Sequence, residues 1–465
     1  MARRLCLFTG SFNPPGRHHA EIAVTLAKQF DEVRILTCGF RPDKPTNNAL
    51  ASPLRAVLID LAFQNIPGVV IDHFDLEKSC FTSSGDLDKR FTDGDCQVWH
   101  AVSSELVLGG ARGKSTIQRE WADGPQVWRQ LRFAVYHTAE MPLDPADLPP
   151  NSEVVLTPRS GSSLEIRRRL YEGLDCGDLL RPRVREYIDR YGLFKLSAAQ
   201  HEGVIRTEGL RLLVFADERN ERARELKERL SGVGSVEDPD LILVVGGDGT
   251  MLSAIHQYWH LRRPLVGLNA GHLGFLMNES DVLLATARQL CQELTVRRLP
   301  MLHVEFQRAE GPPVEALSFN DAWVERSSGQ TTWLRVSVNG QVRLEKAVCD
   351  GILVSTAAGS TAYAMSMGAS PLLADTPAWM IVGSNVMRPV GWKSALLPLD
   401  ATAQVEGLNT EKRPLSGNVY GQVIPNVTGM NARISRVATL ELAFSPAHDM
   451  ARKISDLQFG QPKNF

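Results

Sequence analysis

The sequence lacks an excess of charge of either sign. Its 53 acidic residues nearly cancel 51 basic ones, leaving a formal charge of −2 over 465 residues. A protein that grips nucleic acid regardless of base sequence carries a basic footprint, so this balance argues against one. No apolar run approaches the ~20 residues of a membrane-crossing helix. Leu5–Phe8 follows Arg3-Arg4 but stops at Thr9-Gly10-Ser11-Phe12-Asn13-Pro14, too soon for a secretory apolar region, so a cytoplasmic chain is expected. The seven cysteines are odd in number and form no Cys-x-x-Cys pair. Neither a disulfide scaffold nor a zinc module is indicated, no protein-held metal is expected, and buried or free thiols are. A 20–50-residue repeat and a low-complexity tract are missing too.

What is present is a globular composition, 43% hydrophobic and 22% charged, in a chain long enough for two or three domains. Strand-like runs at Leu5–Thr9, Val33–Leu36, Val69–Ile71, Leu106–Leu108 and Phe133–Val135 alternate with helical spacing over about 19–28 and at Leu54–Phe63 and Val184–Tyr191. Such alternation predicts a parallel sheet with helices on its faces. The stretch 197–207 (SAAQHEGVIRT) is small, polar and aperiodic, and reads as a linker. A fresh start follows, with strands at Leu210–Phe215 and Leu241–Val245 around a charged helix, Glu218–Leu230. Beyond Pro300 the texture turns β-branched, as in Val336–Val342, Ile352–Thr356 and Thr439–Ala443. The expected organisation is α/β: residues 1–196, a linker at 197–207, an α/β subdomain at 208–299 and a β-rich subdomain at 300–465.

Leu241–Val245 runs into Gly246-Gly247-Asp248-Gly249-Thr250, with a helical stretch from about Met251. A strand opening into glycines before a helix lets backbone N–H groups approach phosphate, and the helix N-terminus adds a favourable field. Gly249 and the Gly246-Gly247 pair can take positive φ cheaply. Asp248 is the odd element, since a carboxylate beside polyphosphate is repelled. It needs a reason, either abstracting a hydroxyl proton or handling a metal; the plain alternative is a tight turn capping a helix. Asp350 to Tyr363 (DGILVSTAAGSTAY) reads as a strand and a small, hydroxyl-rich loop suited to a flat polar ligand such as an amide-bearing ring. With Asn269 to Leu276 (NAGHLGFL) and Asn320-Asp321, this set resembles the NAD kinases, which show GGDGT, GHLGFL, an Asn-Glu pair and DGxIxSTxTGSTAY in this order.

That resemblance covers about residues 208–465 and implies an NAD kinase fold. It assigns Asp248 as general base on the adenosine-ribose 2′-OH of NAD, and Gly246, Gly247, Gly249 and Thr250 as a phosphate cradle. It places Phe275 on the adenine side, and Asn320, Asp321, Asp350, Thr361, Ala362, Tyr363 and Ser366 on the dinucleotide. ATP with Mg²⁺ would be the donor, in a homo-oligomer. Three departures stand out: Asp321 for Glu, Ala357-Ala358 for Pro-Thr, and Gly368-Ala369-Ser370 for Gly-Gly-Pro. GGDGT alone also looks like lipid kinases and phosphofructokinases; Asn320, the Asp350–Tyr363 run and the lack of a membrane-binding amphipathic stretch disfavour a lipid kinase.

In the first half, Gly10-Ser11-Phe12-Asn13-Pro14-Pro15-Gly16-Arg17-His18-His19 resembles the G-[ST]-F-[DN]-P-x-[HT]-x-G-H turn of nicotinamide/nicotinate mononucleotide adenylyltransferases. Ser162-Ser163-Leu164-Glu165-Ile166-Arg167 resembles their second motif, ISSTxIR. The likeness implies a Rossmann-like nucleotidylyltransferase domain over about 1–196. Gly10, Ser11 and Phe12 would face phosphate, and His19 would stabilise the transferring phosphate. Ser162, Ser163 and Arg167 would hold ATP, with Trp121 near the mononucleotide. Asp31–Val33, Pro42–Lys44 and Leu54-Arg55 fall near further landmarks. Gly16 and His18 depart from the pattern, as does Gly110-Ala111-Arg112 where Gly-x-Asp is expected. Trp121 and Trp128 also read as one core-facing helical stripe. Gly109-x₃-Gly113-Lys114-Ser115 is one residue short of a phosphate loop and is rejected as one. If both halves act, consecutive steps favour nicotinamide over nicotinate mononucleotide; the alternative is a kinase whose first domain only binds nucleotide or drives oligomerisation.

Overall fold

Leu5, Cys6, Leu7 and Phe8 are all buried, as in a strand covered on both faces. They form β1 (Arg4–Gly10), flanked by β2 (Glu32–Thr37), β3 (Val69–Asp72), β4 (Gln97–Ser103), β5 (Phe133–His137) and β6 (Ser152–Leu156). The six pair in parallel in the order β3-β2-β1-β4-β5-β6. This is the doubly wound order; the winding reverses between β1 and β4, and the crevice beyond the carboxyl ends of those strands is where such sheets take ligands. The turn after Gly10 leaves β1 at that end. Helices Arg17–Leu26, Ser52–Phe63 and Pro182–Tyr191 close one core around Phe8, Phe12, Phe63 and Tyr191.

These strands belong to the first of two compact units in the computed structural model, Met1–Gln200 and His201–Phe465. The structure describes residues 2–39, 50–141, 143–158, 161–195, 202–229, 238–271, 274–279 and 293–459. In the second unit β7 (Glu202–Arg206) lies antiparallel to the start of β11 (Glu293–Arg308). Between them β8 (Leu212–Ala216), β9 (Leu241–Gly246) and β10 (Leu265–Asn269) run parallel. Next come β12 (Val314–Ser318), β13 (Asp321–Arg326), β14 (Thr332–Val338), β15 (Gln341–Cys349), β16 (Gly351–Thr356), β17 (Ala378–Ser384), β18 (Ser394–Pro398), β19 (Thr402–Gly407), β20 (Leu415–Val419) and β21 (Gln422–Phe444). The long β21 joins the two textures, pairing antiparallel with β11 along most of its length and parallel with β10 at Leu265↔Leu442. An α/β part and a β-rich part therefore share one sheet.

Several expectations need correcting. Leu106–Leu108 is not a strand: Ser104–Val107 forms a helical turn, and the strand beside β1 is Gln97–Ser103. The Ser103-Ser104-Glu105 run just ahead of Leu106 is helix-start chemistry. Residues read as linker include β7, an edge strand with too little apolar alternation to stand out. The seam placed at 300 falls inside β11, where the pairing merely shifts register between Pro300 and Leu302. Val336–Val342 is broken by Asn339 and Gly340 at φ 50° and 74°, the positive pair of a tight hairpin turn. Pro42–Lys44, residues 197–201, His272-Leu273 and Cys291 lie outside the described residues.

Candidate active site

All six residues of β9 are buried, and the helix Asp248–Tyr258 begins two residues after it ends. The helix thus starts earlier than the expected Met251, and its first residue is Asp248. Its glycines serve space rather than dihedral freedom. None of Gly246, Gly247 and Gly249 has positive φ, so the freedom that glycine offers there is not used. A Cβ on Gly246 would sit 2.3 Å from Thr250 Oγ1, so Gly246 makes room for Thr250, whose hydroxyl accepts the Gly247 N–H at 3.4 Å. A Cβ on Gly247 or Gly249 would meet nothing within 4 Å beyond its own chain neighbours, and Gly249 is exposed.

Asp248 is held by a turn far from it in sequence. Its Oδ2 accepts the Phe275 N–H at 2.9 Å and its Oδ1 accepts the Leu276 N–H at 3.0 Å. Burial pushes the carboxyl above its ordinary range, against the pull of those two N–H groups and of the Lys453 charge. The Phe275 ring is buried in a core cluster with Met251, Leu276 and Met277, while its backbone serves the carboxylate.

A second set of residues gathers where β13 and β16 pair, Asp321 opposite Ser355. The Asn320 carbonyl accepts from Thr356 N at 2.9 Å and from Ser355 Oγ at 3.2 Å. Thr356 Oγ1 donates to the Phe319 carbonyl at 2.7 Å, and Ser360 Oγ accepts the Leu372 N–H at 2.7 Å. The hydroxyls of Ser355 and Thr356 are thus spent on the backbone of Phe319 and Asn320, and that of Ser360 on Leu372, which leaves fewer of the loop's hydroxyls for a ligand than its composition suggests. Gly359 is obligatory, because a Cβ there would meet the Asn320 carbonyl at 2.4 Å. Thr361 and Ala362 are partly exposed, and Tyr363 and Ser366 face solvent on the short helix that follows.

Tyr363 packs edge-on against Trp323 at 5.2 Å, and Glu325, Asp321 and Asp350 add to the burial that raises its phenol. Asp350 is gripped from both sides, by Arg326 Nε at 2.8 Å and Asn385 Nδ2 at 2.7 Å. Burial lifts Asp321 to about 6. Asn320 Oδ1 and Trp323 Nε1 are buried without a hydrogen-bond partner, an acceptor and a donor left for something else to satisfy. Trp323 was missed; the period-2 alternation from Asp321 could have found it.

In the first unit, the two motifs close on each other. Ser163 Oγ donates to the Pro14 carbonyl at 2.9 Å, Arg167 Nη1 donates to the Asn13 carbonyl, and Ser162 Oγ caps the helix Ser163–Tyr171. Gly10 lets the Phe12 ring fold back over it, since a Cβ would lie 2.8 Å from that ring. Arg55, almost fully buried, donates to the carbonyls of Ser11 at 3.0 Å and Cys38 at 2.9 Å. His19 Nδ1 accepts the Gly16 N–H at 2.9 Å, and its ring is held well below the usual imidazole range, first by burial and then by His18. The His18 ring lies where Cβ atoms on Gly16 and Gly161 would fall, 2.5 and 2.4 Å away, so Gly16 and His18 depart from the motif together. Asp147, which no motif marks, accepts the Gly109 N–H at 2.9 Å and the Ala111 N–H at 3.1 Å. Trp128 is core, and Trp121 ends a separate helix, Thr116–Glu120, so the two are not one helical stripe.

The family model for the ATP-NAD kinase N-terminal domain matches residues 217–296, and that for the ATP-NAD kinase C-terminal domain matches 320–388. An NAD kinase of Brucella suis is 35% identical over 237 residues, 51% of this chain and 91% of the relative. One of Rickettsia bellii is 36% identical over 225 residues, 48% of this chain and 88% of the relative. Among solved structures the chain is similar to yeast NADH kinase complexed with NADH, with 15% identity, TM-score 0.46, and 56% and 90% of the two chains covered. It is also similar to an NAD kinase from Archaeoglobus fulgidus in complex with ATP, with 23% identity, TM-score 0.41, and 54% and 98% covered. The second unit falls in the class of ATP-binding phosphotransferases with an α/β part and a β-rich part. The chain belongs to the NAD kinase family.

Two predictions follow from this geometry. Gly246→Ala destabilises the protein by about 1–3 kcal/mol in urea unfolding because Thr250 must move, whereas Gly247→Ala stays within about 0.5 kcal/mol of the parent. Asp321 is neutral in both folded and unfolded chains below about pH 4, so burial costs nothing there; the cost appears as pH rises and is complete above about 6. Asp321→Asn therefore leaves the ligand-free melting temperature nearly unchanged at pH 4 and adds about 1–3 kcal/mol at pH 8. An equal gain at both values removes the burial argument.

Proposed function

We propose that the second unit transfers the γ-phosphoryl group of ATP to the adenosine-ribose 2′-OH of NAD, with Asp248 taking the hydroxyl proton. The observation that carries this is the partly buried carboxylate at the mouth of a glycine turn, held by two backbone N–H groups beside the exposed Gly249. The ribose oxygen attacks phosphorus, the bond to the bridging oxygen breaks, and ADP leaves. Phosphoryl transfer asks chiefly for positioning and charge neutralisation. A carboxylate above its ordinary range is a better proton acceptor for a hydroxyl than an exposed one. Asn320, Asp321, Asp350, Thr361, Ala362, Tyr363 and Ser366 hold the dinucleotide, with Asn320 Oδ1 accepting from it; the turn formed by Gly246, Gly247, Gly249 and Thr250 lies on the phosphate side, and Phe275, its ring in the core, stands behind the adenine side. No group of three or more His, Cys, Asp or Glu side chains among the described residues is placed to hold a metal ion. Mg²⁺ would enter with the phosphates of ATP.

Asp248→Asn lowers kcat by about 10²–10⁴-fold while NAD affinity, followed by isothermal titration, survives. An Asn variant turning over at the parental rate ends the base assignment.

A second reading concerns the first unit, supported by a motif turn that leaves β1 at the switch point with His19 Nδ1 already bonded and Nε2 left for a phosphate. We infer that it transfers adenylate from ATP to nicotinamide mononucleotide: the mononucleotide phosphate attacks the α-phosphorus, the α–β anhydride bond breaks and pyrophosphate leaves, making the NAD that the second unit phosphorylates. Gly10, Ser11 and Phe12 line the phosphate path, Ser162, Ser163 and Arg167 brace it, and Trp121 stands by the base. Incubation with ATP, Mg²⁺ and either mononucleotide yields NAD from the nicotinamide form, and His19→Ala abolishes it. A strong preference for the nicotinate form overturns the substrate, and no product from either leaves a nucleotide-binding module.

A further inference from the structure

Lys453 lies on the last described helix, Met450–Gln458, whose Met450 and Ile454 are buried in the same cluster as Phe275, Leu276 and Met277. Its side chain is only 15% exposed. Nζ donates to the Gly274 carbonyl at 2.8 Å and to the Met277 carbonyl at 3.1 Å. Between those two carbonyls lie Phe275 and Leu276, the residues whose N–H groups hold Asp248. One cation therefore ties both ends of a four-residue turn whose middle two amides point at the carboxylate. The turn has little slack, because a Cβ on Gly274 would fall 2.8 Å from Met277 Cγ and 3.4 Å from Asp248 Oδ1.

We propose that Lys453 is a positioning residue, a clamp that fixes the 274–277 turn so that its two amides orient the Asp248 carboxylate for proton abstraction. The inference rests on reading Asp248 as the base. A largely shielded cation that binds two carbonyls makes charge-assisted hydrogen bonds, stronger than neutral ones. The charged and titratable groups that Lys453 faces are Asp248, Glu279 at 3.3 Å, and His448, which is stacked on Phe444 and pushed down to about 4 by burial first. His448 is neutral over the working range, and Glu279 is mostly exposed. The lysine's charge and the two N–H bonds both act to keep Asp248 ionised. Loss of the clamp weakens both at once, while no atom of Lys453 need touch NAD or ATP.

The test is the pH profile of kcat for the full-length protein with saturating ATP and NAD. Lys453→Met lowers kcat by about 10–100-fold, keeps KM for both substrates within about threefold of the parent, and moves the acid limb of the profile upward. Lys453→Arg recovers part of the rate and part of the limb. Lys453→Gln, which keeps a donor for one carbonyl, serves if the Met variant does not fold, and it moves the limb the same way. Glu279→Gln leaves the limb in place. A Met or Gln variant with wild-type NAD affinity and an unmoved acid limb overturns the clamp, as does a change confined to KM. Should Asp248→Asn prove fully active, the base assignment fails instead, and the two failures are told apart.

Discussion

Two backbone N–H groups pointing at one buried carboxylate are the constraint on which the second unit turns. Asp248 arrives at the mouth of β9, where a parallel strand gives way to a helix and phosphate binding is natural. A bare carboxylate there would be both desolvated and repelled. The amides of Phe275 and Leu276 make the ionised form tolerable without neutralising it, since a hydrogen bond lowers the pKa and burial raises it. The result is a carboxyl on which burial and two N–H groups pull in opposite directions. Beneath it Met251, Met277 and Phe275 belong to one buried cluster, which joins the helix that begins at Asp248 to the turn that holds its carboxylate.

The same economy appears where β13 meets β16. Hydroxyls that look like ligand donors are used to lock the loop to the Asn320 carbonyl, and what remains for a ligand is a smaller set: Asn320 Oδ1, Trp323 Nε1, the carboxyl of Asp321 and the phenol of Tyr363. Rigidity of the frame and sparseness of the contact groups go together, since pre-organised donors lose less entropy on binding. In the first unit the motif residues likewise bind each other before they could bind a ligand, with Arg167 and Ser163 bracing Asn13 and Pro14. The paired departure at Gly16 and His18 is a steric exchange, in which one residue gives up a side chain and the other fills the vacated space.

Much of this was legible from the chain alone. Continuous apolar runs such as Leu241–Val245 announced buried parallel strands, and the glycines after them marked the turn. What escaped were elements whose signal is not local: β4 and β6, whose chemistry is mixed, and the edge strand β7, too short and polar to show a period. The site divided along the same line. Asp248, Asn320 and Tyr363 carry motif chemistry; Trp323, Arg326, Asn385 and Arg55 matter through what they touch.

Residue order determined the glycine turn, the carboxylate within it and the alternation that makes an α/β sheet, because backbone freedom and hydrophobic period are properties of neighbours in sequence. Tertiary structure alone decided that Asp248 would be held by amides 27 and 28 positions away, and that a lysine near the end of the chain would tie down the turn that carries them. Hydrogen bonds between distant residues depend on how layers pack, and no local pattern in the sequence encodes the distance across a core.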